Sequence, residues 1–369
     1  MPRVLYVSKP IVPPWHDGSK NLVRDVATSL TRHRATVLTS EGVAPPDGVD
    51  GLVAYGDAAR GRFAPTLRAN ARVAAVVAAS TGHSIWHFVF APNWPSSSAS
   101  RMTLVAGRLR GVRRVVQTIA SRPKHFRSVG ALLFGDVVVC LSEWTRGRFL
   151  AAGVDGRKLV VVPPCARPLR DVAPEEGAAL RERLDVGDAP LVVYPGDLEV
   201  SRGARSVAAA IAALAGRVPE ARVIFACRAK TSGAVAAEQA LRASLTQSGV
   251  LDRVRFVGEL PELAVLLAEA SVVALPADDL YGKVDVPLAV LEALALGVPL
   301  VLARGGPLET VTTASFVDAA DTQGLADALA HLLESDAARA EQAAAGKALY
   351  ARVFRPEVVA ARYEEIYEG

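Results

Sequence analysis

Three short stretches of this chain combine residue types that could hold an anionic ligand. The first, Ser8-Lys9-Pro10-Ile11-Val12-Pro13-Pro14-Trp15-His16-Asp17-Gly18-Ser19-Lys20-Asn21, follows an apolar run and ends where a helical pattern begins. Gly18 lets backbone approach a ligand, the helix start offers N–H groups to an anion, and Lys20 adds a cation. The same residues also read as a plain helix cap through Asp17 or Ser19. The second stretch, Tyr194-Pro195-Gly196-Asp197-Leu198-Glu199-Val200-Ser201-Arg202-Gly203, is a glycine-bounded loop. Arg202 at its end could grip a phosphate with two parallel hydrogen bonds, or sit solvated at a helix start. The third runs from Tyr281 to Pro299, with a helix expected to start at Pro287 and end on Gly297. Glu292 is the one charged residue of that helix. An unpaired carboxylate there would cost several kcal/mol, so it needs a protein donor or a pair of ligand hydroxyls.

These stretches must be positioned by the elements around them. Near-continuous apolar runs predict strands at Arg3–Ser8, Ala35–Thr39, Leu52–Tyr55, Ile85–Phe90, Arg114–Ile119, Asp136–Leu141 and Leu159–Val162. A second series follows at Leu191–Tyr194, Arg222–Ala226, Val254–Val257, Ser271–Leu275, Leu300–Ala303 and Ser315–Val317. Helical patterns intervene at Asn21–Thr31, Trp144–Ala152, Ala204–Ala215, Ala234–Ser248, Ala289–Leu296 and Thr322–Leu333. Two strand–helix series predict an α/β chain with two doubly wound, Rossmann-like domains. Three prolines between Val161 and Leu169 mark a linker or hinge. The expected domains are 1–165, 166–352 and a closing helix, 353–369, that returns to the first domain. Doubly wound sheets bind ligands beyond the carboxyl ends of their strands, so a cleft between the two domains is the expected site.

Composition narrows the classes. The chain has 369 residues, 51% hydrophobic and 22% charged, which excludes wholesale disorder and a fibrous repeat. The best candidate for a membrane span, Val286 to Ala303, carries Glu292 and is broken by Gly297 and Pro299. The first residues run straight into a strand pattern without a signal-peptide core, and a cytosolic chain is expected. Cys140, Cys165 and Cys227 each end an apolar run, which fits buried inert thiols better than disulfides or a zinc site. Asp278-Asp279 could form a metal dyad or a solvated loop; no metal site is expected.

Charge divides the chain. Residues 1–165 hold 22 Lys and Arg against 9 Asp and Glu, a net +13, and residues 166–369 carry −9. The first half is expected to face something anionic, unless the surplus only tunes solubility. Arg108, Arg110, Arg113 and Arg114 cluster around Gly111, and Arg122, Lys124 and Arg127 follow Ala120. No recognition-helix or aromatic-interleaved motif accompanies them, so nucleic acid is not expected as a partner. A phosphorylated or lipid-linked acceptor, or the anionic membrane surface itself, suits such a face.

Taken together, the three stretches resemble the retaining GT-B glycosyltransferases of family 4, the group 1 glycosyltransferases. Gly-Asp-Leu-Glu-Val-Ser-Arg-Gly at 196–203 resembles the family's Gly-Arg-Leu-x-x-x-Lys-Gly loop. Residues 285–299 resemble its Glu-x7-Glu segment with the Glu-Ala-Met-Ala-x-Gly-x-Pro tail, and Gly305-Gly306-Pro307-Leu308-Glu309 matches the Gly-Gly-x-x-Glu that follows. Val257-Gly258 falls at the family's Phe-x-Gly turn near the nucleobase, and the final helix, with Tyr363 and Tyr367, resembles the one that crosses back to the first domain.

The resemblance implies a fold, an activity and site residues. The fold is GT-B, with two Rossmann-like domains facing across a cleft. The activity is metal-independent transfer of a sugar, with retention, from a nucleoside diphosphate sugar to an anionic or lipid-linked acceptor. No cofactor is implied beyond that co-substrate, with UDP or GDP as its carrier. Glu292 would hold the ribose hydroxyls, Arg202 the diphosphate, and Gly18 would lie close to the donor phosphates. Gly196, Gly258, Lys283, Val286 and Leu288 complete the expected donor side. Lys20, Asn93 and Arg122 are expected on the acceptor side.

The chain also departs from the family pattern. The first glutamate of Glu-x7-Glu is Val284 here, flanked by Lys283 and Asp285, either of which could serve if the register shifts. Asp197 replaces an arginine of the diphosphate loop, and Lys283 could compensate. Ala120 stands where some members have a histidine near the reacting sugar. His87 could substitute for it or be a core histidine. His87, Asp285 and Lys283 are therefore the expected catalytic set. The enzyme is expected in the cytoplasm, peripheral at the inner face of the membrane. Two alternatives stay open: a catalytically weakened nucleotide-sugar-binding protein, or an epimerase or synthase on the same fold. Nothing in the sequence points to an oligomeric state.

Overall fold

The computed structural model describes residues 1–56, 67–227, 231–260 and 263–369. Its first sheet holds β1 (Arg3–Val7), β2 (Arg34–Ser40), β3 (Asp50–Tyr55), β4 (Ile85–Phe90), β5 (Arg114–Ile119), β6 (Val137–Cys140) and β7 (Leu159–Val161). The second holds β8 (Leu191–Tyr194), β9 (Arg222–Phe225), β10 (Val254–Phe256), β11 (Val272–Leu275), β12 (Leu300–Ala303) and β13 (Ser315–Val317). Strand orders are β3-β2-β1-β4-β5-β6-β7 and β10-β9-β8-β11-β12-β13, with parallel neighbours throughout. Every predicted strand is present with its ends within two residues.

The order reverses between β1 and β4 in one sheet and between β8 and β11 in the other. Loops leaving the carboxyl ends of those strands diverge there and leave room for a ligand. The helices are α1 (Gly18–Ser29), α2 (Leu67–Ala79), α3 (Trp94–Leu109), α4 (Glu143–Ala151), α5 (Pro174–Leu184) and α6 (Gly203–Arg217). They continue with α7 (Ser232–Gln247), α8 (Leu263–Ala268), α9 (Leu288–Leu296), α10 (Thr322–Glu334), α11 (Asp336–Leu349) and α12 (Pro356–Glu368). α9 begins one residue later than expected, with Pro287 just before it, and ends on Gly297 at φ +76°.

Two compact units result. Unit 1 comprises Met1–Arg167, Tyr281–Pro287 and Val353–Gly369, and unit 2 comprises Pro168–Leu280 and Leu288–Arg352. The sequence reading kept residues 281–287 with the second domain, but here they belong to unit 1. Apolar burial is one reason: Val284 joins the core formed by Tyr6, Leu22, Leu141 and Tyr363. In unit 2, every residue of β8, β11 and β12 is buried, as a sheet covered on both faces requires. Cys140, Cys165 and Cys227 are buried thiols outside any disulfide.

α12 closes unit 1 through polar contacts as well as apolar ones. Glu364 Oε1 accepts backbone N–H bonds from Thr31 at 3.0 Å, Arg32 at 2.6 Å and His33 at 3.1 Å. Those donors lie in the connection between α1 and β2. Burial alone would raise the Glu364 carboxyl, but these bonds hold it below its ordinary value. Beneath it, His87 Nδ1 meets the Tyr367 hydroxyl and Nε2 meets Thr118 Oγ1, both at 2.7 Å. Tyr363 reaches Thr118 at 3.1 Å, and Tyr6 reaches Tyr367 at 2.8 Å.

This network predicts a pH dependence. Burial pushes the His87 imidazole down to about 3, so the folded chain keeps it neutral while the unfolded chain takes up a proton near pH 6.5. The stability it contributes is present above pH 6.5 and lost below it, by up to about 1.4 kcal/mol per pH unit. His83, also lowered by burial, adds a slope of the same sign. Urea unfolding at pH 7, 6 and 5 should show a falling free energy and a smaller slope in His87→Gln. A flat wild-type profile would show that the ring is not held neutral.

Candidate functional site

In unit 2 the loop after β8 wraps around an aromatic ring. Tyr194 folds back beneath it and donates its hydroxyl to the Asp197 carbonyl at 2.8 Å. A side chain at Gly196 would overlap that ring, and one at Gly203 would stand 2.9 Å from the hydroxyl. Both glycines are therefore required by Tyr194. The Asp197 carboxylate accepts from the N–H groups of Val200 at 2.7 Å and Ser201 at 3.2 Å, so it shapes the loop. Its charge, expected to repel a phosphate, serves the backbone here.

Arg202 then stands at the start of α6, a 15-residue helix that directs its N-terminal N–H groups toward this loop. Its backbone N–H donates to Asp278 Oδ1 at 2.8 Å, and its Nε lies 3.6 Å from Asp278 Oδ2. The contact joins the loops after β8 and β11, the two strands at the switch point. The guanidinium is 54% exposed, so the pair is weak and an arriving anion can compete for it. Gly258, after β10, takes φ +64° with open space on its side-chain face. Glu292 is half-buried in α9, whose neighbouring residues Leu291 and Ala293 are buried.

In unit 1 the segment Tyr281–Pro287 is anchored by Asp285. The Asp285 side chain is buried, and its Oδ2 accepts from Ser142 Oγ at 2.5 Å and Thr145 Oγ1 at 2.6 Å. Burial raises its carboxyl above the ordinary value, against the pull of the two hydroxyls and the Arg122 charge. Ser142 also caps α4, accepting from the Thr145 N–H at 3.0 Å, so one serine serves a helix end and a carboxylate. The Arg122 guanidinium lies 5.3 Å from the Tyr281 ring centroid. Lys283 is half-buried, and Val286 is buried. Leu288, the first residue of α9, is half-buried in unit 2.

Several expected site residues are engaged by the protein itself. His87 is 1% exposed with both ring nitrogens hydrogen-bonded, so it is a core histidine that holds α12. Its burial leaves no face for a sugar. Asn93 spends its side chain locally, capping α3 through Ser96 N–H at 2.9 Å and donating to the Ala91 carbonyl at 2.7 Å. Asp17 caps α1 and pairs with Lys9 at 2.6 Å, which favours the capping reading of that loop. Lys20 donates to the Pro14 carbonyl at 3.2 Å. A side chain on Gly18 would stand 3.1 Å from a Val284 methyl, so that face is closed by protein.

Among the described residues, no group of three or more His, Cys, Asp or Glu is placed to hold a metal ion. Ser142 and Thr145 escaped the sequence reading as site residues, and Asp278 entered it only as half of a metal dyad or as a solvated loop residue. Ser142 directly after β6 and before a helix was the available signal for the first two, because that is where N-caps fall.

Fold and loops together define the class. Two Rossmann-like units, each with a switch point in its strand order, are the GT-B architecture. The structure of Anabaena Alr3699/HepE in complex with UDP and glucose has the same fold, with a TM-score of 0.75 and 18% identity covering 100% of both chains. Within this fold, residues 189–335 match the family described as Glycosyl transferases group 1. A Mycobacterium tuberculosis relative called a GDP-mannose-dependent alpha-(1-6)-phosphatidylinositol monomannoside mannosyltransferase is 27% identical, aligned over 100% of this chain and 99% of its own length. A Mycolicibacterium smegmatis protein of the same name is 32% identical over 222 residues, 58% of this chain and 56% of that relative.

The Asp285 anchor predicts a stability cost. Asp285→Ala leaves two buried hydroxyls without their acceptor and should cost about 2–4 kcal/mol in urea unfolding. Ser142→Ala should cost about 1–2 kcal/mol, through the lost cap and the lost donor. In the double variant the two losses should differ from additivity by more than about 0.5 kcal/mol. Strict additivity would mean that the carboxylate and the serine do not share this bond.

Proposed function

We propose that the chain transfers a sugar from a nucleoside diphosphate sugar to an anionic lipid acceptor, with retention at the sugar carbon and without a metal. The observation that carries this reading is the unit 2 switch point. There the glycine-bounded loop delivers Arg202 and the start of α6 to one place inside the matched glycosyltransferase domain. Departure of a nucleoside diphosphate builds negative charge on its phosphates. A fixed cation and a helix N-terminus aimed at that charge stabilise it without reorganisation. In this reading the diphosphate displaces Asp278 from Arg202, Glu292 takes the ribose hydroxyls, and the left-handed turn at Gly258 lets backbone approach the base.

The named relatives favour a GDP-linked sugar over a UDP-linked one, and mannose as the sugar. Their phosphatidylinositol-type acceptors agree with the net +13 of residues 1–165. Unit 1 would then present the acceptor, with Arg122 among its cations, at a membrane surface. A second reading, a nucleotide-sugar-binding protein of weakened activity, is favoured by Val284. It stands where the family's first glutamate would be, is 6% exposed and packs against Gly18. It offers no hydrogen bond to a sugar.

Titration calorimetry with GDP and UDP tests the site. One nucleotide should bind, and Glu292→Ala and Arg202→Ala should each weaken it by roughly tenfold to a hundredfold, the worth of one charge-assisted hydrogen bond. Binding of neither nucleotide would remove the donor site from the proposal. Binding without transfer of mannose from GDP-mannose to phosphatidylinositol mannosides in vesicles would favour the second reading.

A further inference from the structure

α3 is built inside out. Its buried residues are small, namely Ser97, Ser100, Thr103 and Gly107. They let the helix lie close on the sheet: a methyl on Gly107 would stand 2.6 Å from two ring carbons of the buried Trp86. Leu104 packs against the core, but four of its large apolar residues point the other way. Trp94 is 60% exposed, Met102 73%, Val105 68% and Leu109 85%. At 3.6 residues per turn these four fall within an arc of about 80°, forming a stripe about 22 Å long. Single exposed apolar residues are ordinary, but four on one helix face are not. They are four of the eleven exposed large hydrophobic residues among the described residues.

Arginines border the stripe. Arg101 and Arg108 lie along one edge, Arg110 caps the helix end and Arg113 follows just beyond it. Arg108 is neutralised by a bidentate pair with Asp136, both bonds 2.7 Å. Arg101 donates to the Leu133 carbonyl at 2.9 Å and Arg110 to the Ala106 carbonyl at 3.3 Å, contacts that leave their charges uncompensated. The surrounding sequence supplies no anions: residues 58–135 contain twelve Lys and Arg and no Asp or Glu.

We infer that the outer face of α3 docks on an anionic lipid bilayer, with the helix lying in the plane of the surface. Trp94, Met102, Val105 and Leu109 enter the boundary between headgroups and acyl chains, and Arg101, Arg110 and Arg113 meet the lipid phosphates. A second copy of this chain is a poorer occupant, because two such faces packed together would oppose their own arginines. Nucleic acid is poorer too, because its phosphates gain nothing from an apolar stripe. The choice of a bilayer rests on the lipid-acceptor reading above, whereas the face itself is independent of the nucleotide site.

Flotation of the full chain with vesicles tests the inference, comparing phosphatidylglycerol–phosphatidylcholine mixtures with phosphatidylcholine alone. The wild type should float with the anionic vesicles only, less so as sodium chloride rises. The combined Met102→Ser, Val105→Ser and Leu109→Ser variant should partition about tenfold more weakly or less. Arg101→Gln, Arg110→Gln and Arg113→Gln together should abolish the preference for anionic vesicles. A blue shift of tryptophan emission on vesicle addition should diminish in Trp94→Phe. All of these side chains are exposed, so thermal melts and nucleotide affinity should match the wild type.

Failure of the wild type to float, or undiminished flotation of the apolar variant, would overturn the inference. So would a dimer by light scattering that the apolar variant dissolves while its flotation is unchanged. Absent flotation with intact GDP binding would sink the docking face and spare the transferase reading. Flotation that obeys the variants, with no nucleotide binding, would do the reverse.

Discussion

A carboxylate taken out of water must be met by donors, and Asp285 meets this demand on unit 1. The chain leaves unit 2 after Leu280, delivers Asp285 to Ser142 and Thr145, and returns at Leu288 to begin α9. Two consequences follow from this one contact. The start of α4 is tied to the segment that precedes α9, through a serine that cannot serve one without the other. Val284 and Val286, on either side of the aspartate, are carried into apolar surroundings, and Val284 closes over Gly18. The register of residues 281–287 is therefore set by burial on unit 1. That register leaves Val284 where the family pattern has a glutamate, and no slip can bring Asp285 there without stripping two hydroxyls of their acceptor.

Glycine at a ligand site and glycine beneath a packed side chain look the same in a sequence. The structure separates them here. Gly196 and Gly203 make room for Tyr194, Gly18 for Val284 and Gly107 for Trp86. Gly258 alone among the expected donor-side glycines combines a left-handed backbone with an open face. The β8 loop still reaches the switch point, because the Tyr194 ring supports it from below and Asp197 holds its turn from within. Its glycines allow that support, and its last residue, Arg202, carries the chemistry. A loop held this firmly can present a cation and a helix end at fixed positions, which electrostatic stabilisation of a departing anion requires.

The fold was legible because its signals are local and repeated. Apolar runs of three to six residues, most of them separated by helical patterns, marked the thirteen strands of the described residues. The site was legible only where a residue broke its surroundings, as Glu292 breaks an apolar helix. His87 shows the limit: a histidine within a strand pattern reads equally as a ligand or as core. Only the positions of Tyr367 and Thr118, 280 and 31 residues away, decide between them. Asp285 was singled out for its place in a motif, yet its partners lie 143 and 140 residues distant. Asp278 pairs with Arg202 across 76 residues for the same reason. Periodicity carries information over one element, whereas these pairs depend on which loops the strand order brings together.

The basic first half of the chain looks uniform as a sum and is not uniform in space. Several of its arginines are spent on structure. Arg24 meets the buried Asp25, Arg3 and Arg34 share Asp50, and Arg32 serves Glu364. These pairs contribute no net field at a distance. What remains is concentrated between residues 58 and 135, where no acid occurs and where α3 turns Trp94, Met102, Val105 and Leu109 outward. Net charge by itself bears on solubility and association rate. A surplus of charge bordering an apolar stripe is different, because the stripe costs free energy in water until a partner covers it. A surface that is both cationic and apolar selects a partner that is both anionic and apolar. An anionic bilayer is both, with phosphates at its face and hydrocarbon a few ångströms below.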